Sequence, residues 1–303
     1  MEKEKNSRAL LSLLSIYIVW GTTYLAIKIG VENNLPPILF TGLRWIAAGP
    51  IMLMILLLMK YKLPNKNDMF HLGISGLLLL GGGNGLVVYA EQWVPSGLTA
   101  LLITTVPFWV VGLEAMVPAG KRINLTIILG LILGLAGVSL IFGGDLKNLF
   151  DASHIGGVIG LMFAVFFWSA GTVYSKHKKV TVHPLMGAAT QMIIAGVVMT
   201  ALGLIIGEGA GFHFTTSGFY SYLYLVIFGS LVGYGSYVYA IAHLPISLVA
   251  TYAYVNPIIA LFLGWLVLDE QISGWIVLAA VIILGGVMLV KKGSEKNILK
   301  TKT

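Results

Sequence analysis

Apolar stretches of about 20 residues alternate with short polar connections along almost the whole chain. A helix needs about 20 residues to cross the roughly 30 Å hydrocarbon core of a bilayer. Membrane strands would instead alternate apolar and polar residues over about 10 positions, which these runs do not do. An all-α integral membrane protein with ten transmembrane helices is therefore predicted. The predicted spans are 9–30, 37–59, 70–93, 97–117, 123–143, 155–175, 184–206, 217–241, 246–267 and 273–291.

The overall composition supports this class. Of the 303 residues, 57% are hydrophobic and only 10% are charged, whereas soluble domains contain about 25% charged residues. The mean hydropathy of +0.91 excludes a water-soluble globule. The chain contains no cysteine, which excludes disulfides and thiolate metal sites. We expect no metal and no cofactor.

The positive charges indicate how the helices are oriented. Sixteen of the 19 Lys and Arg residues fall on one side of the predicted spans, and positive loops face the cytoplasm. Both termini are therefore predicted to be cytoplasmic, in a multi-pass protein of the plasma (inner) membrane. The net charge of +7 is divided among five short segments, so we expect the lipid bilayer, and no nucleic acid, as a partner. The sixteen residues are Lys3, Lys5, Arg8, Lys60, Lys62, Lys66, Lys121, Arg122, Lys176, Lys178, Lys179, Lys291, Lys292, Lys296, Lys300 and Lys302.

Two halves of the chain repeat each other. At an offset of 150 residues the identical pairs include Gly83/Gly233, Gly85/Gly235, Tyr89/Tyr239, Pro95/Pro245 and Pro107/Pro257, and at an offset of 148 they include Trp20/Trp168, Lys28/Lys176 and Pro36/Pro184. The repeat unit is five helices, so residues 1–148 and 149–303 form two repeats. Because five is odd, the second repeat enters the membrane from the opposite side, which predicts inverted repeats.

Several short motifs occur in the same order in a known family. They include Trp20-Gly21-Thr22-Thr23-Tyr24, Arg44-Trp45-Ile46-Ala47-Ala48-Gly49, Gly83-Asn84-Gly85, Tyr254-Val255-Asn256-Pro257 and Asp269-Glu270. Together they make the chain resemble the ten-helix EamA branch of the drug/metabolite transporter superfamily. The resemblance implies an exporter of amino acids, related metabolites or toxic compounds, with a central cavity lined by spans 1, 3, 4, 6, 8 and 9. Asp269-Glu270 has no counterpart in the first half, which departs from a strict duplication.

Ionisable residues within spans are costly in a bilayer and are functional candidates. Arg44 lies about seven residues into the second span, too deep for easy snorkelling, and Lys28 and Glu91 lie near the same membrane face. These three residues could form a helix-tying ion pair, bind a substrate carboxylate or gate the path. Glu114, near the cytoplasmic end of the fourth span, either snorkels to the interface or couples transport to protons.

Polar and aromatic residues in mid-span form a second group of candidates, because their polar groups need partners away from water. Those proposed to bind substrate are Trp20, Asn84, Trp168, Gln191, Tyr234, Tyr252 and Asn256, together with Arg44. The two tryptophans have the alternative role of anchors at the membrane interface. An aromatic cavity with few charges suits a zwitterion or an amphipathic small molecule.

The sequence therefore predicts a secondary transporter that exports small metabolites or amino acids by alternating access, with a monomer as the expected working unit. Zinc, nucleophile-elbow and phosphate-loop motifs are missing, so no enzyme is predicted. The alternative is a membrane receptor or assembly partner that transports nothing, but the short connections leave no room for the soluble domain that such a protein would use.

Overall fold

The computed structural model describes residues 2–94, 96–118, 124–142, 155–268 and 274–300. Every regular element in these ranges is a helix, which confirms the predicted all-α class. The predicted boundary between the repeats, at 148/149, lies outside the described residues, as do Asp269 and Glu270.

We number the helices in chain order, and we treat a helix with a π-helical centre as one element. They are α1 Glu2–Glu32, α2 Pro37–Leu58, α3 Lys66–Ala90, α4 Ser96–Ile103, α5 Val106–Met116, α6 Leu125–Phe142, α7 Ile155–His177, α8 Pro184–Ile205, α9 Thr216–His243, α10 Ile246–Val249, α11 Tyr252–Leu268 and α12 Gly274–Lys300.

Eight helical stretches in the described ranges are long and apolar enough to cross a membrane, and one of them, Thr99–Met116, runs across α4 and α5. Two shorter apolar stretches, Leu125–Ile141 and Ile246–Ile259, accompany them. The count of ten spans stays a prediction.

Two of the predicted spans are divided. The span 97–117 consists of α4 and α5, which are separated by a turn at Thr104 and Thr105, and the span 246–267 consists of α10 and α11. Proline lacks the backbone N–H that would bond four residues back. Pro107 lies in the first turn of α5, directly after the break, and cannot bond back to Ile103 O, whereas Pro257 lies inside α11.

Local signals explain where several helices begin. Pro37 and Pro184 occupy the first positions of α2 and α8, where the missing N–H is not needed. The Thr215 side chain accepts a bond from Gly218 N at 3.0 Å at the start of α9, and Asn65 accepts one from Asp68 N at 2.8 Å before α3. Such caps satisfy N–H groups that have no partner inside the helix.

The middle of α3 and the middle of α9 are π-helical. The segments are Leu77–Gly85 and Leu225–Tyr234, which the sequence did not predict. The wider turn shifts the backbone hydrogen bonds to the fifth residue, and such segments are frequent at functional sites. Both segments carry residues of the candidate site described below.

Glycines let two pairs of helices pack at very short range. Between α6 and α12, a Cβ added at Gly130 would lie 2.7 Å from Gly286 O, and one added at Gly286 would lie 2.7 Å from Gly134 N. Between α2 and α8, a Cβ at Gly49 would lie 2.9 Å from Ile193 N. In lipid, helices associate largely through such close packing, so these contacts hold the bundle together.

Contacts between loops define two ends of the bundle. The end near the lysines that follow α2 and α7, called here the lysine-rich end, joins Tyr61 to His183 with ring centroids 4.6 Å apart. At the opposite end, Thr215 Oγ1 donates to Asn33 Oδ1 at 2.9 Å. Leu39 N, in the first turn of α2, donates to Glu208 Oε2 at 2.6 Å.

Gly130→Ala is expected to destabilise the protein, because its Cβ would collide with the backbone of α12. Overpacking of this kind costs about 1–3 kcal/mol, so the thermal aggregation midpoint in detergent should fall by several degrees. Gly112→Ala in α5 is the matched control, since a Cβ there meets nothing within 4 Å. Equal midpoints for the two variants would contradict the packing at Gly130.

Candidate functional site

A cavity lies among the helices in the middle of the bundle. Its lining residues come from α1, α2, α3, α4, α5, α7, α9 and α11. They are Trp20, Thr23, Ile27, Arg44, Trp45, Gly83, Asn84, Val87, Ile103, Val106, Ala164, Val165, Trp168, Tyr234 and Tyr252. The lining is mostly apolar and aromatic with a few polar groups, which is typical of a site for a small molecule.

Aromatic rings form one boundary of the cavity, which we call the floor. Trp20 packs edge-on against Trp168 and Tyr252, with centroid distances of 5.5 and 5.1 Å. Tyr237 supports both tryptophans from behind, 5.2 Å from each. Edge-to-face aromatic pairs are favourable and have defined geometry, so these contacts hold the rings of the floor together.

Polar contacts continue from the floor toward the lysine-rich end. Thr172 and Tyr237 share a hydrogen bond between their hydroxyls, and Tyr17 and Thr251 share another at 2.6 Å. Nearer the end, Lys176 Nζ donates to two carbonyls at the C-terminus of α9, Ile241 O at 2.7 Å and Leu244 O at 2.9 Å. These contacts join α1, α7, α9 and the turn before α11, so they close the bundle between the floor and the lysine-rich end.

The π-helical segments bring glycine against tryptophan at the floor. A Cβ added at Gly83 would lie 2.9 Å from Trp168 Cε3, and one at Gly233 would lie 2.8 Å from Trp20 Cδ1. Trp20 Nε1 also donates to Gly229 O at 3.2 Å. The two tryptophans can therefore meet only because glycine stands at these positions.

Arg44 is the charged residue of the cavity wall. Its side chain is 4% exposed, and Nε donates to Ser230 Oγ of the α9 π-helical segment at 2.7 Å. The guanidinium carbon lies 4.4 Å from the centre of the Trp45 ring, within the range of a cation–π contact. Arg44, which the sequence places too deep for easy snorkelling, is buried in the protein and lines the cavity.

Six of the eight residues predicted to bind substrate line the cavity: Trp20, Arg44, Asn84, Trp168, Tyr234 and Tyr252. Gln191 lies behind the wall, where it accepts from Tyr234 OH at 2.9 Å and donates to Ser75 Oγ at 2.7 Å. Gln191 therefore holds Tyr234 in position.

Asn256, the eighth residue predicted to bind substrate, is fully buried beside α1. With its amide nitrogen facing α1, it donates to Tyr17 O at 3.2 Å and to Tyr252 O at 3.0 Å. It does not line the cavity, and its amide holds α11 against α1.

The other ionisable candidates, Lys28, Glu91 and Glu114, which the sequence predicts as gates or ion-pair partners, do not line the cavity. Lys28 is exposed and lies 3.7 Å from Glu32, while Glu91 follows the end of α3 and is half-buried. Within the described ranges no ion pair joins Lys28, Arg44 and Glu91. Glu114 is buried, with Oε1 3.9 Å from His177 Nε2.

Sequence reasoning missed much of the wall and the closing contacts. Thr23 lies one turn beyond Trp20, so a helical-face argument could have found it. Trp45 follows Arg44 directly, and adjacent residues do not share a helix face, so that argument does not reach Trp45. The pairing of Tyr237 with Thr172 had no local signal, because the partners lie on different helices. No group of three His, Cys, Asp or Glu side chains suitable for a metal occurs in the ranges described.

Helices long and apolar enough to cross a membrane surround this cavity, and the comparison with known families shows which class of membrane protein this is. The sequence pattern of the EamA-like transporter family matches residues 7–143 and again residues 155–291. The chain therefore belongs to the EamA-like transporter family.

Curated relatives carry transporter names. The chain is 36% identical over 284 residues to the uncharacterized inner membrane transporter YedA of Escherichia coli (strain K12), covering 93% of this chain and 90% of the relative. It is 28% identical to the uncharacterized transporter YoaV of Bacillus subtilis (strain 168), covering 93% and 96%. It is 25% identical to a probable amino-acid metabolite efflux pump of Escherichia coli (strain K12), covering 91% and 92%.

A solved crystal structure has the same fold. It superposes with a TM-score of 0.80 at 19% sequence identity, covering 96% of this chain and 98% of the other. At this identity the likeness concerns the fold alone.

The absence of native cysteine makes the cavity directly testable. Val87→Cys, in the lining, should react with a small water-soluble maleimide roughly tenfold faster than Leu79→Cys, which is fully buried on the same helix. A buried thiol reacts only during local opening of the structure. The cysteine-free parent protein gives the background. Equal labelling rates for the two cysteines would mean that no water-filled cavity exists at Val87.

Proposed function

We propose that this protein is a secondary transporter that exports small metabolites or amino acids by alternating access. The observation that carries the proposal is the central cavity, which is closed toward the lysine-rich end by the aromatic floor and the hydrogen bonds behind it. A solute site in mid-bundle with a barrier on one side is what one state of such a cycle requires.

Two inverted five-helix repeats are the proposed frame of the movement. The family pattern matches the chain twice, and each half contains a helix with a π-helical centre, Leu77–Gly85 in the first and Leu225–Tyr234 in the second. Gly83 packs on Trp168 while Gly233 packs on Trp20, so each pair joins one residue from each half. This reciprocal pairing supports a two-fold relation between the halves.

The lysine-rich end is proposed to face the cytoplasm of a cell whose plasma (inner) membrane holds the protein, because positive loops remain inside. The state described here is then closed to the cytoplasm. Export as the direction, and amino acids or related metabolites as the cargo, find support in the relative named a probable amino-acid metabolite efflux pump.

Lys176 is proposed as the latch of the cytoplasmic side. It caps the end of α9 through Ile241 O and Leu244 O, where a cation also meets the negative end of the helix dipole. Its counterpart in the first repeat is Lys28, and the positions corresponding to Ile241 and Leu244 are Glu91 and Val94. In the state that is open to the cytoplasm and closed to the other side, Lys28 would leave Glu32 and cap the end of α3.

Purified protein in liposomes tests the function directly. Vesicles loaded with amino acids, amines or purines should exchange at least one labelled compound faster than protein-free vesicles. Counter-exchange is the suitable format because it needs no knowledge of the coupling ion. No exchange of any compound, beside an active reference transporter, would favour the receptor or assembly alternative.

The latch predicts opposite effects for the two equivalent lysines. Lys176→Met should raise the labelling of a Val165→Cys reporter from the lysine-rich side about fivefold or more, because two charge-assisted bonds are lost. Lys28→Met should lower that labelling, since it weakens the other state. Membrane-impermeant maleimide on vesicles of known orientation measures both.

Lys179→Met is the matched control for this assay, because Lys179 is exposed in the loop after α7. Its reporter labelling should equal that of the protein with no lysine substitution. Shifts in the same direction for the two latch variants would argue against alternating capping.

A further inference from the structure

The cavity holds a buried positive charge for which the described residues provide no negative partner. Arg44 is 4% exposed and lines the cavity. Its one hydrogen bond to a side chain in the described ranges goes to Ser230, a neutral hydroxyl. Ser230 Oγ in turn donates to Leu225 O at 2.9 Å. No carboxylate in those ranges forms an ion pair with Arg44.

Such an arrangement leaves strong donors available. A guanidinium carries five N–H groups and keeps its charge at neutral pH, and an unpaired charge inside a membrane protein is costly unless it serves a function. The backbone of α9 closes one side, since a Cβ at Gly229 would lie 2.7 Å from Nη2. Anionic groups can therefore approach Arg44 from the cavity.

The rest of the lining fits a particular kind of anion. Val106, the first residue of α5, lies in the same wall, and a helix N-terminus carries partial positive charge. Around the charge stand apolar side chains and the flat rings of Trp20 and Trp168. Asn84 lines the cavity too, and its Oδ1 is buried without a hydrogen-bond partner in the described part of the chain, which leaves an acceptor for an N–H group.

We propose that Arg44 binds the anionic group of the transported solute, so that the substrates are small carboxylates or zwitterions with a flat apolar body. The inference rests on the proposed transport function and names the substrate class of the same cavity. Arginine matches the planar, two-oxygen shape of a carboxylate better than lysine does. The solute would supply the negative charge that the cavity wall lacks.

Binding to purified protein separates this proposal from transport itself. The probes are phenylacetate and phenylacetamide, which have nearly the same shape and differ in charge. Tryptophan fluorescence reports occupancy, because Trp20, Trp45 and Trp168 line the cavity. Phenylacetate should bind roughly ten- to a hundredfold more tightly than phenylacetamide, as expected for a charge-assisted pair.

Variants should remove the preference in a graded way. Arg44→Gln should bind the two probes equally, and Arg44→Lys should keep part of the preference. Gly229→Ala keeps the charge but crowds Nη2, so it should weaken phenylacetate binding and provides a second test if Arg44→Gln fails to fold. Gly81→Ala, in the α3 π-helical segment, is the matched control, since its Cβ would only touch flexible side-chain ends at 3.8 Å.

Each outcome of these binding and exchange measurements supports or overturns the role proposed for Arg44. Equal binding of both probes by the parent protein, or a preference that survives in Arg44→Gln, would overturn the proposal. So would chloride or sulfate binding at Arg44 with no binding of phenylacetate, which would indicate a site for inorganic anions. Arg44-dependent phenylacetate binding without any solute exchange would retain the anion site and defeat the transport function. Solute exchange without a preference for carboxylates would support the transport function and overturn the anion site at Arg44.

Discussion

A charged guanidinium within an apolar bundle is the constraint on which much of this structure depends. The bilayer offers no water to solvate Arg44, so the protein must provide polar contacts or an internal cavity. Ser230 and the Trp45 ring hold the side chain, and the glycine at position 229 makes room for it. The α9 π-helical segment, which contains both Gly229 and Ser230, therefore shapes the part of the cavity wall where Arg44 lies.

Glycine residues contribute both to the packing of the helices and to the proposed movement. Glycines bring α6 close to α12 and α2 close to α8, while Gly83 and Gly233 receive the tryptophans of the floor. Helices that touch through smooth backbone surfaces can shift as units. In the described residues, the contacts toward the lysine-rich end include the aromatic floor, two hydroxyl pairs and the Lys176 cap. These are side-chain contacts between helices, and the proposed movement would have to break them.

Much of the candidate site was readable because membrane burial makes polar residues conspicuous. Arg44, Asn84 and the aromatic residues Trp20, Trp168, Tyr234 and Tyr252 stood out in apolar runs, and all six line the cavity. Gln191 and Asn256 stood out equally, but they form hydrogen bonds with the Tyr234 hydroxyl and with backbone carbonyls, respectively, and do not line the cavity. A polar residue in a span needs a partner, and its identity does not say whether that partner is protein or solute.

The sequence by itself determined the class of protein, because apolar runs of membrane length leave helices as the only element that satisfies every backbone group. It also indicated the duplication and the uneven distribution of charge. Only the tertiary structure decided which residues surround one cavity, where α4 and α5 divide, and that π-helical turns carry Gly83 and Gly233. These features depend on contacts between distant helices, such as Trp20 with Gly229, and no local pattern records which helix faces which.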